Sequence, residues 1–95
     1  MLHYNIFIKG KVQGVGFRFS AMQAAYRVGV KGFAKNQDSD MVYLEAEGSK
    51  EQLDQFLQWC RKGPPGSRVE TLRFEEGVLR NFTSFEIVAR NFQGS

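Results

Sequence analysis

Between Ser49 and Gly66 the sequence draws a helix with both ends marked, and that helix dictates what the rest of the chain must supply. Ser49 stands where a cap belongs, Gln52 follows three residues later as in a capping box, and Gly63-Pro64-Pro65-Gly66 stops the run. Leu53, Phe56, Leu57 and Cys60 share one face, with Trp59 beside them. A helix with one apolar face must lay it on another element, and in a chain of 95 residues that element belongs to the same small core.

The candidates for that cover alternate in the manner of strands. Tyr4, Ile6 and Ile8 point one way while Asn5, Phe7 and Lys9 point the other; Val42, Leu44 and Ala46 repeat the pattern within Met41 to Glu47. Val30 to Asn36 is a shorter strand, joined to Met41–Glu47 through the polar turn Gln37 to Asp40, so the two read as a hairpin. Phe19 to Val28 carries a second helical stripe through Phe19, Met22, Ala24, Ala25, Tyr26 and Val28, with Gly29 placed to close the helix in a left-handed conformation. After the proline stop, Val69, Leu72 and Phe74 break two-residue periodicity, which predicts either a late strand start or a bulge. Glu75-Glu76-Gly77 reads as a turn, and Phe85, Ile87 and Ala89 mark a last strand before an end from Phe92 to Ser95 that is either partly ordered or frayed.

The order is therefore strand, helix, strand, strand, helix, strand, strand. Two helices that each need one apolar face, and a largely antiparallel sheet that offers one, predict an α+β fold: a two-layer, ferredoxin-like split βαβ sandwich with both helices on one face of the sheet, in a single domain over residues 1–95.

Chemistry concentrates at the first strand-to-helix turn, Gly10-Lys11-Val12-Gln13-Gly14-Val15-Gly16-Phe17-Arg18. Glycines there let successive N–H groups converge, the following helix adds its unpaired N-terminal donors, and Arg18 brings a planar, permanently charged fork that suits phosphate oxygens. A plain alternative is that the glycines close a tight turn and Arg18 sits on the surface. The stretch lacks both the GxxxxGK[ST] pattern of a nucleotide-binding loop and the dinucleotide fingerprint, so nucleotide hydrolysis starts weak.

The formal net charge of +3 favours an anionic ligand but is too small to make nucleic acid the expected partner. Cys60 is the sole cysteine, which rules out an internal disulfide and fits a reducing compartment. The amino-terminal residues lack a basic region followed by a long apolar core, and no run of apolar residues is long enough to span a bilayer, so the expectation is a cytoplasmic protein without membrane contact.

Gly10 to Arg18 resembles the first signature of the acylphosphatase family, and Gly32-Phe33-Ala34-Lys35-Asn36 resembles the core of its second. The likeness continues through Gly63 to Gly66 and the Ser84-Phe85-Glu86-Ile87 ending, so it covers nearly the whole chain. It implies a small ferredoxin-like hydrolase that splits carboxyl-phosphate anhydrides into a carboxylate and inorganic phosphate, with no metal or cofactor, acting as a monomer. By the same resemblance Arg18 binds phosphate, the loop amides of Gln13, Gly14, Val15, Gly16 and Phe17 form the phosphate cradle, and Asn36 positions the hydrolytic water. An amide can orient water but is no useful base at neutral pH, so positioning and electrostatics would carry the rate. The chain departs from the family after Asn36, where Asp40 stands in place of a common glycine; a positive φ there would suit aspartate less well than glycine.

Other residues have plainer expectations. His3 reads as a strand-surface residue, Cys60 as core packing, and Asp38 and Asp40 as turn residues rather than cation ligands. Two further functions stay open. One is an RNA-binding module using Phe7 and Tyr43 on the sheet face away from the helices, although Asn5, Lys9, Glu45 and Glu47 give that face mixed charge and the RNA-recognition motif is absent. The other is a non-catalytic acylphosphatase-like domain kept for protein interaction.

Overall fold

The computed structural model describes residues 1–88 of the 95. Its elements follow the expected order: β1 (Leu2–Lys11), α1 (Phe17–Val28), β2 (Lys31–Gln37), β3 (Met41–Gly48), α2 (Lys50–Lys62), β4 (Arg68–Glu76) and β5 (Phe85–Ile87). The strands form one sheet in the order β4-β1-β3-β2-β5, antiparallel except for the parallel pair β2 and β5. This is the α+β ferredoxin-like sandwich, with a short fifth strand added at the β2 edge.

Register explains the core. Tyr4 faces Ala46, Ile6 faces Leu44 and Ile8 faces Val42, so the apolar alternation of β1 and β3 falls on the same side of the sheet. Both helices cover that side, α1 over β2 and β5, α2 over β3, β4 and β1. In α2 all four stripe residues, Leu53, Phe56, Leu57 and Cys60, are buried, and the capping box closes through Ser49 and Gln52. Burying a phenylalanine such as Phe56 contributes about 1.5–3 kcal/mol, so the bounded helix is a main holder of the core. Cys60 is fully enclosed, and burial pushes its thiol pKa far up, which leaves it a packing residue.

Three local expectations change and one open choice is settled. Helix α1 begins two residues earlier than the apolar pattern suggests, and its buried face is Phe17, Ala21, Ala24 and Ala25; Phe19 and Tyr26 are exposed. Three of those four are alanines, small enough to bring the helix close to the sheet. Glu75 and Glu76 are not a turn but the end of β4, still paired with Asn5 and Tyr4. The irregularity near Val69 is a bulge, not a late start: Lys9 pairs with Thr71 and Gly10 with Val69, leaving Glu70 as the extra residue. At Gly10, whose φ is 143°, a β-carbon would collide with the Arg68 carbonyl oxygen, so only glycine fits. The left-handed position of the β2–β3 turn is Asp38, with φ 55°, and Asp40 needs no such conformation. The closing expectation for helix one holds, with Gly29 at φ 86°. Ala89 and the end from Phe92 to Ser95 lie outside the described residues.

His3 is the clearest correction. It is buried, with Nδ1 2.7 Å from Glu47 Oε2 and Nε2 2.9 Å from Asn5 Oδ1. What buries it is the connection from Gly77 to Ser84, which crosses from the β4 edge to the β2 edge over the sheet face that carries no helix. The Phe82 ring stacks on His3 at 5.9 Å and meets Phe33 edge-on at 5.8 Å. Glu45 and Glu47, expected as sheet-surface charges, are buried beneath the same crossing. The sequence marks both as outward by alternation; only the crossing chain makes outward mean enclosed.

Candidate active site

Strand β1 delivers the chain to the turn at residues 12–16, and the turn delivers it to α1. Gly14 and Gly16 have φ of 74° and 73°, left-handed values that glycine adopts without a β-carbon clash and that allow neighbouring N–H groups to converge. Gly16 is also the N-cap of α1, so that helix start has no side-chain cap and no acid in its first turn. Its free N–H groups and the positive end of its dipole are directed at the turn.

These features border a cavity of about 170 Å³, lined by Val12, Gly14, Gly16, Phe17, Arg18, Phe19, Asn36 and Ile87. Its volume is below the roughly 300 Å³ at which pockets enclose drug-sized ligands, so it suits a small group such as a phosphoryl. Arg18, on the first turn of α1, is the one charged residue among those lining it. Its Nη1 donates to the Val88 carbonyl at 3.0 Å, which holds the guanidinium at the cavity edge; among the described residues its other donors have no partner. Asn36 reaches the same cavity from β2, half-buried. The arrangement places a glycine turn, a tethered guanidinium and a neutral side-chain amide around one small volume.

Of the residues singled out in the sequence, Gly14, Gly16, Phe17, Arg18 and Asn36 come together at this cavity. Gln13 and Val15 belong to the turn but are not among the lining residues, and Val15 packs toward the core. The Gln13 side chain has a different task. Its amide nitrogen lies 2.9 Å from the carbonyls of Asp38 and Met41 and 3.3 Å from that of Gln37. Two hydrogens thus serve three carbonyls and tie the glycine turn to the hairpin that follows Asn36. No local pattern announces this, because the partners lie 24 to 28 residues away. Phe19, Ile87 and the Val88 carbonyl were likewise missed; the apolar pattern placed Phe19 on the buried stripe of helix one, whereas it is exposed at the cavity.

The remote sheet face is less open than an RNA-binding surface would be. Phe7 and Tyr43 do stand side by side at 5.0 Å, but the Arg73 guanidinium lies over Phe7 at 4.2 Å from the ring centre. The Tyr43 hydroxyl donates to Glu45 at 2.6 Å, and burial together with that bond pushes the phenol pKa far up.

Comparison with known proteins points the same way as the geometry. A family model described as Acylphosphatase matches residues 4–87. An acylphosphatase of Aliivibrio fischeri is 40% identical over 80 residues, 84% of this chain and 89% of its own length. One from Archaeoglobus fulgidus is 37% identical over 87 residues, 92% of this chain and 98% of its own. Among solved structures, the crystal structure of acylphosphatase from Bacillus subtilis superposes with a TM-score of 0.90 at 36% identity, covering 94% of this chain and all of that one.

Proposed function

The chain belongs to the acylphosphatase family, whose reaction is the hydrolysis of acyl phosphates to a carboxylate and inorganic phosphate, and from that premise we propose how its own residues divide the work. The loop amides from Gln13 to Phe17 and the free donors of Arg18 hold the phosphoryl oxygens. Asn36 orients a water molecule for roughly in-line attack on phosphorus. The water oxygen bonds to phosphorus as the bond from phosphorus to the acyl oxygen breaks, that electron pair leaves on the carboxylate, and the proton shed by the water passes to a phosphoryl oxygen of the substrate. Negative charge spread over the equatorial oxygens is met by amides and a guanidinium already in place, so little reorganisation is needed. A carboxylate is a good leaving group, and no enzymic acid is assigned to it.

The observation that carries this reading is the convergence of Arg18, Asn36, Gly14 and Gly16 on one small cavity from α1, β2 and the turn between β1 and α1. All of these groups come from one chain, so the proposed site is complete in a monomer. Charge neutralisation falls to Arg18, without a metal or cofactor, so chelation should leave turnover unchanged. The lone, enclosed Cys60 supports a cytoplasmic setting, and among the described residues no helix is long and apolar enough to cross a membrane. Nucleic acid has no place in the reading, since Arg73 and the crossing connection already occupy much of the aromatic sheet face.

The test is phosphate release from acetyl phosphate by wild type and a folded Asn36→Ala variant. Loss of an oriented contact should lower kcat about 100-fold or more with a smaller change in KM. Near-normal kcat would remove Asn36 from the mechanism.

A further inference from the structure

The Gly77–Ser84 connection is anchored at Gly77, whose N–H donates to the His3 carbonyl at 2.9 Å, and at Phe82, packed on His3 and Phe33. Val78 is 86% exposed and Leu79 39%, so its first half gains little from apolar burial. Between those anchors it is held by a carboxylate. Glu47, 1% exposed on β3, accepts the backbone N–H of Arg80 through Oε2 at 2.6 Å and that of Phe82 through Oε1 at 3.0 Å. His3 Nδ1 contacts the same Oε2 at 2.7 Å, and the Arg80 side chain donates to Glu45 at 3.0 Å. Two backbone donors on one buried carboxylate fix the path of the connection as well as its presence, because charge-assisted bonds are short and directional.

Beyond that fixed segment the chain becomes a wall of the active-site cavity. The Ser84 carbonyl accepts from Gly32 N at 2.9 Å, Phe85 and Ile87 pair with Gly32 and Ala34 of β2, and Val88 N donates to Ala34 O at 2.9 Å. Ile87 lines the cavity, and the Val88 carbonyl takes the Arg18 hydrogen bond. A continuous path therefore runs from Glu47, beneath the helix-free face, along the short run from Phe82 to Val88 and on to the tether of Arg18.

We propose that Glu47 is a positioning residue for Arg18, acting through the 77–84 connection and β5; this rests on the reading of Arg18 as the phosphate-holding group. Removing the carboxylate charge loosens the connection, lets β5 slide or lift at the sheet edge, and frees the Val88 carbonyl to move. Arg18 then spends part of its binding energy on being ordered, and phosphate binds less tightly.

The experiment is a titration of wild type and Glu47→Gln with inorganic phosphate, followed by the amide shifts of Gly14 to Arg18, together with a kinetic cycle using Arg18→Ala. In folded Glu47→Gln the Kd for phosphate should rise at least about threefold, the size expected for coupled members of one network. KM for acetyl phosphate should rise more than kcat falls. On the Arg18→Ala background Glu47→Gln should add almost nothing to the loss in kcat/KM, because the group it positions is gone. An unchanged Kd in Glu47→Gln, or an equal fractional loss on both backgrounds, overturns the proposal. An Arg18→Ala variant with undiminished phosphate binding refutes the site reading itself and the inference with it. If Glu47→Gln does not fold, Glu47→Asp, which keeps the charge but withdraws it by one methylene, carries the same outcomes.

Discussion

Replacing Arg18 separates two things a guanidinium can provide, charge and a fork. One of its five N–H donors is committed to the Val88 carbonyl at 3.0 Å, and among the described residues no other partner engages the guanidinium, so in the proposed role the remaining donors serve phosphoryl oxygens. Arg18→Ala removes two charge-assisted hydrogen bonds of about 1.5–3 kcal/mol each, so kcat/KM should fall about 100- to 10,000-fold. Arg18→Lys restores the charge, but its three donors radiate from one nitrogen and lack the planar fork that meets the Val88 carbonyl and two phosphoryl oxygens from separate nitrogens, so recovery over alanine should stay under about tenfold. The assay is phosphate release from acetyl phosphate under subsaturating substrate, with circular dichroism to confirm folding. A lysine variant within about twofold of wild type would show that a point charge suffices and would refute the tethered-fork argument.

The Glu47 carboxyl predicts a pH dependence of stability. Burial pushes its pKa up, but the N–H groups of Arg80 and Phe82 and the His3 side chain outweigh that and leave it below the usual glutamate value. The unfolded chain then binds the proton more readily, so this contribution is complete above the unfolded pKa of about 4.3 and is lost as pH falls through the lower folded value. Urea midpoints between about pH 3 and 6, taken at roughly half a unit per step, should therefore fall less steeply toward acid in Glu47→Gln than in wild type; parallel curves would contradict the assignment. Gly10→Ala should cost at least about 2 kcal/mol, since its β-carbon meets the Arg68 carbonyl at a φ only glycine tolerates. A thermal melt should show a drop of about 8 °C or more, and an unchanged midpoint would mean that the bulge relaxes freely.

Legibility followed the range of the interactions. Helix α2 was readable to its ends because a cap, a stripe and a proline stop are all local. The start of α1 was not, because Phe17 is buried by Trp59 at 5.3 Å and the sheet rather than by its own periodicity. The Asp40 question dissolved for a similar reason: hairpin geometry put the left-handed residue at Asp38. Within the site, the glycine turn and Arg18 were visible as a contiguous motif, and Asn36 through a second motif that resembles the family's. The Gln13 strut, the Ile87 wall and the Val88 tether were invisible, since each joins segments far apart in the chain.

By itself, then, the sequence determined the chemistry of the turn, the two helices and the alternation that makes a two-layer sandwich, because propensity, capping and side-chain type act over a few residues. Tertiary structure alone decided which outward-facing residues are truly outside. Alternation sends His3, Glu45 and Glu47 away from the helices, yet the connection to β5 crosses over them and turns a solvent face into a buried polar clasp. The route a connection takes over a sheet depends on the whole fold, and here that route runs on to the carbonyl that holds Arg18.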